Sequence, residues 1–174
     1  MPSLLSKSFI ILRGLIYATG FVCLWAWIAV LVRPFDTHLP ISIPAGLHLI
    51  GYGVFCLGVL LAASCVGIFI TKGQGTPAPF DPPRVFVAIG PYRYVRNPMY
   101  LGGSGVILGA GLFLSSPSII MLSFGFLLCM HLLVVFHEEP ALVARFGVSY
   151  QQYCVSVHRW LFKPPNPKAQ NGVG

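Results

Sequence analysis

Acidic residues are scarce in this sequence. Its 174 residues include four carboxylates, Asp36, Asp81, Glu138 and Glu139, and charged residues of either sign make up 9% of the chain against 56% hydrophobic. A soluble domain carries about a quarter charged residues. The scarcity therefore excludes a large soluble domain, and with it the disordered, secreted disulfide-rich and fibrous classes, and leaves an integral membrane protein. The five cysteines, Cys23, Cys56, Cys65, Cys129 and Cys154, contain no C-x-x-C pair and four of them fall within apolar runs. They read as small core hydrophobes, with no disulfide framework. His38, His48, His131 and His137 give no H-x-x-x-H or H-E-x-x-H spacing, so no metal site is expected; they read as buried or interfacial, with His137 nearest any site. Gly73-Gln74-Gly75-Thr76-Pro77 lacks the G-x-x-x-x-G-K pattern that cradles phosphates, which argues against a nucleotide triphosphatase.

Long apolar runs are what the sequence does have. At about 20 residues per crossing, the chain predicts four transmembrane helices within one all-α membrane domain: Phe9–Val32, Ala45–Ile70, Met99–Leu114 and Ser118–Phe136. The first run is span-length and has no small-residue cleavage site, so it is expected to be a permanent helix. Between the second and third runs, residues 71–98 hold six prolines and four basic residues, and read as a loop. Ala141–Phe162 mixes polar residues with Phe146, Tyr150, Tyr153 and Trp160, and reads as an interfacial or cytosolic helix followed by a frayed tail, 163–174. Gly105-x-x-x-Gly109 has the spacing of close helix packing.

Base outnumbers acid by eleven to four, for a formal charge of +7. The basic residues lie beside the apolar runs, where membrane topology explains them better than nucleic-acid binding does. In the four-span arrangement ten of the eleven (Lys7, Arg13, Lys72, Arg84, Arg93, Arg96, Arg145, Arg159, Lys163 and Lys168) fall on one side and Arg33 alone on the other. That division predicts a multi-pass protein with both termini and the Pro-rich loop in the cytoplasm.

Two clusters on that side could carry chemistry. Glu138 and Glu139 are the only glutamates and stand together just past the fourth run. Carboxylates are costly there unless paired, and neighbours on a helix point about 100° apart, so the two could serve different partners. A solvated helix end is the plainer reading. The second cluster runs from Gly90 to Gly102, with Arg93 and Arg96 before Pro98. A proline suits the first turn of a helix, and the free N–H groups there, with the arginines, would favour a phosphate or carboxylate. A Tyr/Arg membrane anchor fits the composition equally well.

Taken in order, Arg96-Asn97-Pro98-Met99-Tyr100-Leu101-Gly102, then Glu138-Glu139-Pro140-Ala141-Leu142, then Phe146-Gly147-x-x-Tyr150-x-x-Tyr153 and Arg159 resemble the isoprenylcysteine carboxyl methyltransferase and phospholipid methyltransferase superfamily, whose pattern is R-H-P-x-Y-x-G, E-E-x-x-L and F-G-x-x-Y-x-x-Y. The resemblance covers about Gly90 to Phe162; the first two spans carry no comparable signature. It implies an integral membrane enzyme that uses S-adenosylmethionine to methylate a lipophilic acceptor, a small molecule or lipid-modified substrate, on the cytoplasmic side. By position it implies cofactor binding by Asn97, Pro98, Tyr100, Gly102, Gly103, Glu138 and Glu139. Catalysis falls to Arg96, Arg159 and Glu139, with the arginines orienting the acceptor or closing the site. Tyr150 and Tyr153 are implied as acceptor contacts. Asn97 stands where the family has histidine, and an amide cannot carry that residue's positive charge; Phe162 stands where proline is frequent. His158, beside Arg159, reads as a surface residue or a replacement acid or base.

Methyl transfer from a sulfonium needs no metal and no covalent enzyme intermediate, only positioning and exclusion of water. The scarcity of bases other than arginine favours an anionic acceptor or a lipid held by its phosphate. Two rivals remain at this level: a membrane reductase holding a nicotinamide cofactor in a basic site, and a non-catalytic small subunit of a membrane complex. Oligomeric state is open.

Overall fold

The computed structural model describes residues 4–73 and 86–164, with side chains from residue 12 onward. Asp81, Arg84 and Lys168, the Lys7 side chain, residues 74–85 of the expected Pro-rich loop and most of the tail lie outside the described residues. The described residues contain helices and no strand. Their order is α1 (Leu4–Val32), a 3-10 turn (Arg33–His38), α2 (Leu47–Ile68) ending in a π-turn (Phe69–Gly73), a second 3-10 turn (Gly90–Arg93), α3 (Pro98–Phe113), α4 (Pro117–Leu133), a π-turn (Val134–Glu138) and α5 (Glu139–Ser156). Three helical stretches are long and apolar enough to cross a bilayer, beginning at Leu12, Leu47 and Pro117, and α3 is a shorter apolar helix of 16 residues.

The tightest contact is between α2 and α3, and glycine makes it possible. The buried positions of α2 are Gly51, Gly58 and Cys65, spaced seven apart, so they form one stripe along the helix. A Cβ added at Gly51 would stand 2.6 Å from the Phe113 backbone nitrogen, and one at Gly58 would stand 2.7 Å from the Gly102 carbonyl. Gly102, Gly105 and Gly109 of α3 answer from the other side. Backbone therefore meets backbone, as the Gly105-x-x-x-Gly109 spacing predicts, and dispersion contacts replace a hydrophobic drive that lipid cannot supply.

The end of the bundle away from the glutamates is tied by polar groups. The Asp36 carboxylate accepts from the Ser118 backbone N–H at 2.8 Å, and the Ser116 hydroxyl caps Ile119 N–H at 3.3 Å. Both satisfy first-turn donors of α4, and the negative charge suits the helix N-terminus. Ser115, at φ +52°, turns the α3–α4 hairpin and its hydroxyl lies 2.6 Å from His48 Nε2 at the start of α2. α1 joins the bundle through aromatic edges: Trp25 meets Phe126 at 4.7 Å and Phe21 meets it at 6.0 Å.

Two features differ from the sequence-based expectation. The helix does not stop at Pro140. A proline inside a helix presses on the carbonyl four residues back, here Phe136, and the π-turn over Val134–Glu138 widens the coil to take it, with Glu139 N–H bonded to the Val134 carbonyl. The break comes instead at Gly147 (φ +53°, ψ −127°), a conformation open to glycine. The second difference is that α5 ends at Ser156, not Phe162; an extended strap follows, beginning at Val157.

Gly58→Val should lower the thermal stability of the detergent-solubilised protein by about 1–3 kcal/mol, because the backbone it would strike cannot move aside. Gly53→Ala, on the same helix with open space around it, should leave the melting temperature unchanged or slightly raised.

Candidate functional site

The N-terminus of α3 and the C-terminal end of α4 lie at the same end of the bundle, so the two sequence clusters meet. Tyr100, in the first turn of α3, buries its ring with Phe126, Met130 and Val134 and donates its hydroxyl to Glu138 Oε1. Glu139, one residue on, faces two arginines. Arg159 donates from Nε to Oε1 and from Nη2 to Oε2, both at 2.8 Å, a bidentate fork. Arg96 reaches Oε1 through Nη1 at 3.0 Å. Successive helix positions thus send the adjacent acids to different partners.

Their environments pull the acids apart. Burial raises the Glu138 carboxyl above its usual range, and the Tyr100 hydrogen bond and the nearby His137 offset this only in part. Burial acts the same way on Glu139, but the Arg159 hydrogen bonds and the charges of Arg96 and Arg159 outweigh it, and the carboxyl is held below its usual range. The site therefore contains two adjacent acids whose titration is shifted in opposite directions.

A backbone framework holds the arginines. The Asn97 amide Nδ2 donates to the Arg159 carbonyl at 3.2 Å, Arg96 N–H to the His158 carbonyl at 2.9 Å, and Lys163 N–H to the Tyr94 carbonyl at 2.9 Å. The strap after α5 thereby runs alongside the lead-in to α3, and Tyr94 stacks on Phe162 at 4.9 Å. The first turn of α3 carries no side-chain cap, so its N–H donors remain available beside Arg96. Arg96 Nε is buried with no hydrogen-bond partner among the described residues, an orphan donor that an anionic oxygen would satisfy.

Arg96, Asn97, Pro98, Tyr100, Glu138, Glu139 and Arg159 therefore converge. Gly102 and Gly103 belong to the same helix, but their missing side chains make room for neighbours: Ala62 and Gly58 beside Gly102, the Phe126 ring beside Gly103. Tyr150 and Tyr153, expected at the acceptor, are buried with Val157 against Phe86. Tyr153 donates its hydroxyl to the Tyr92 carbonyl at 2.6 Å. As placed, they build the cap that carries Arg96. The His158 side chain is exposed and contributes its carbonyl. Cys154, read from the sequence as a core hydrophobe, accepts from Arg96 Nη1 at 2.8 Å. Its spacing of four from Tyr150 puts it on the same helix face, the one signal that could have found it. Among the described residues no cluster of His, Cys, Asp and Glu could hold a metal ion.

Glu139 couples the site to stability. Its native pKa lies below the ordinary value of 4.5, so its contribution is complete above that pH and is lost as pH falls through the native value. Glu138, shifted upward, acts in the opposite sense. Acidification should therefore lower the melting temperature of the wild type more than that of Glu139→Gln. A Glu139→Gln/Arg159→Gln cycle at neutral pH should give a coupling of about 1–3 kcal/mol; simple additivity would contradict the ion pair.

A profile of the family described as phospholipid methyltransferase matches residues 47–149, well over half of the chain. No curated protein and no solved structure matches. The matched stretch runs from the start of α2 into α5 and includes Arg96, Asn97, Tyr100, Glu138 and Glu139, while α1, Tyr150, Tyr153 and Arg159 lie outside it. The resemblance seen in the motifs and this match agree: the chain belongs to the phospholipid methyltransferase family, a family of membrane methyltransferases.

Proposed function

We propose that this integral membrane protein transfers a methyl group from S-adenosylmethionine to a lipophilic acceptor held in the bilayer, with isoprenylcysteine-type carboxylates and phospholipid headgroups as the acceptor classes. The observation that carries the reading is the meeting of the 96–100 segment with Glu138 and Glu139, two adjacent acids in opposed electrostatic states. The donor set fits the cofactor. The orphan Arg96 Nε and the uncapped first turn of α3 suit a carboxylate, and Glu138 and the Asn97 side-chain carbonyl suit an ammonium and ribose hydroxyls. When bound, S-adenosylmethionine supplies an electrophilic methyl group on a sulfonium.

The protein's own contribution is positioning. Tyr100 fixes Glu138 through its hydroxyl, so that a cationic group arriving beside it would meet a positioned acceptor. Glu139 is committed to Arg159 and Arg96 and fixes both guanidinium groups. Pro98 starts α3 where its missing N–H costs nothing. Gly102 and Gly103 act at one remove, by letting α3 settle against α2 and Phe126. Tyr150 and Tyr153 brace the cap over the site. No residue here is placed as a strong base, which favours an acceptor already carrying negative charge over one that must first lose a proton.

In this reading the α3–α4 hairpin and both preceding helices cross the membrane. The basic residues described at the site end, Lys72, Arg93, Arg96, Arg145, Arg159 and Lys163, against Arg33 at the other, support a cytoplasmic site with both termini on that side.

S-adenosylhomocysteine should bind the purified protein in titration calorimetry, with Glu138→Gln and Tyr100→Phe each weakening it by about tenfold or more, the loss of a hydrogen bond to a charged group. Cys129→Ser should bind as the wild type does. Unchanged affinity in both Glu138→Gln and Glu139→Gln would remove the cofactor assignment. Incubation with labelled S-adenosylmethionine and native membrane lipid, followed by identification of the labelled product, names the acceptor.

A further inference from the structure

One partly buried polar pair is left unused by this reaction. Trp160, in the strap, donates its indole Nε1–H to His131 Nδ1 on α4 at 2.9 Å. An indole nitrogen is a donor only, so His131 Nδ1 must be the unprotonated nitrogen. In the neutral ring the proton then sits on Nε2, and the ring presents a second donor directed away from Trp160. Among the described residues Nε2–H has no hydrogen-bond partner. His131 is partly exposed, so, with α4 in the membrane, its side chain is not sealed off by the described protein.

The position matters as much as the tautomer. His131 precedes Glu139 by eight residues, about two turns once the extra residue of the intervening π-turn is counted, so it lies on nearly the same face as that acid and about 10 Å closer to the membrane centre. Trp160 adjoins Arg159 in sequence and packs against the cluster of Tyr100, Phe126, Met130 and Val134. The imidazole is therefore on the membrane side of the site and is fixed to the strap that carries one of its arginines. An unpaired N–H facing hydrocarbon is costly, so this donor calls for an oxygen that lipid can bring. The local charge favours one kind: Arg96 and Arg159 both gather at the Glu139 carboxylate, and an anionic oxygen is preferred beside two guanidinium groups.

We propose that His131, locked by Trp160 as the Nε2–H tautomer, donates a hydrogen bond to an anionic oxygen of the lipid acceptor, and is thus an acceptor-positioning residue contributed by the bilayer side of α4. The proposal rests on the methyltransferase reading and adds to it the charge of the substrate and the residue that recognises it. The anionic oxygen belongs to a carboxylate or a phosphodiester.

Two measurements test it on the full chain in micelles. In the first, ring-15N-histidine spectra, assigned with His131→Gln, should show an unprotonated Nδ1 and a protonated Nε2. Added oleate or dioleoylphosphatidylglycerol should shift the Nε2 signal, and uncharged dioleoylglycerol should not. A response to oleate alone marks a carboxylate acceptor, and a response to the phosphodiester alone a phospholipid. No response to either, or the opposite tautomer, overturns the proposal.

In the second, methylation of N-acetyl-S-farnesylcysteine and of dioleoylphosphatidylethanolamine is followed with labelled S-adenosylmethionine. For whichever is methylated, His131→Leu should raise KM about tenfold with kcat changed less than about threefold. Glutamine, whose amide can accept from Trp160 and still donate, should restore KM. Affinity for S-adenosylhomocysteine should be the same in all three proteins. A purely structural role for the pair would lower stability and cofactor affinity together, with no recovery specific to KM, and would overturn the proposal. Failure of the wild type to bind S-adenosylhomocysteine is a different result, and removes the methyltransferase reading instead.

Discussion

The carboxylate of Glu139 fixes three separate stretches of chain. It lies at the start of α5, just past the apolar run of α4, and holds Arg96 from the lead-in to α3 and Arg159 from the strap that follows α5. Without it two guanidinium groups would face each other in a partly buried space, at a cost of several kcal/mol. With it, the strap is brought close enough to pair its backbone with residues 94–96 through the Arg96–His158 and Lys163–Tyr94 hydrogen bonds. The Trp160–His131 contact and the Tyr94–Phe162 stack lie on the same path. Acids are so few in this chain that no other described carboxylate could replace it at this end except Glu138, which is committed to Tyr100.

That division of labour depends on helix geometry at Pro140. Adjacent positions in a regular helix already diverge by about 100°, and the π-turn ahead of Pro140 changes the phase at which Glu138 and Glu139 emerge. Glu138 is directed to α3 and Glu139 to the strap. The proline thus supplies what its usual role as a helix breaker would have denied: a continuous helix that carries both acids out of the apolar run in a defined orientation. The bend needed to fold the cap back is deferred to Gly147, where a positive φ is inexpensive.

How far the sequence disclosed all this depends on the range of the interaction. The apolar runs are legible because an apolar environment leaves a compositional mark on every residue, and α1 to α4 overlap those runs, with α1 starting earlier, at Leu4, and α3 and α4 each starting at the proline before the expected residue. Gly105 and Gly109 were legible as a packing pair because the signal is local and periodic. The convergence of Arg96, Tyr100, Glu138, Glu139 and Arg159 was reached through the family pattern, since nothing in spacing alone joins residue 96 to residue 159. Backbone pairing between the strap and the α3 lead-in has no periodicity and stayed hidden, so the strap was read as more helix. Tyrosine serves binding and packing equally well, so spacing alone does not disclose that Tyr150 and Tyr153 pack on Phe86, a residue distant in sequence.

The shortness of α3 has a consequence for the proposed chemistry. Sixteen residues extend about 24 Å, less than the roughly 30 Å of a bilayer's hydrocarbon core. Its far end is fixed at the Ser115 turn, tied to α2 through His48 and adjoining the Asp36-capped start of α4. In the proposed membrane reading, with that far end at the opposite surface, the near end with Pro98 and Tyr100 would lie inward of the headgroups, together with Glu138, which the Tyr100 hydroxyl holds. The stretch of α2 with its π-turn and the α4–α5 run, at 26 and 40 residues, are longer than α3 and long enough to cross a bilayer. A water-soluble cofactor and a lipid have to meet where neither is fully in its own solvent. In the proposed reaction a short crossing helix would bring the Pro98 end of the site toward the lipid, so that the acceptor need not be lifted out of the bilayer to be methylated.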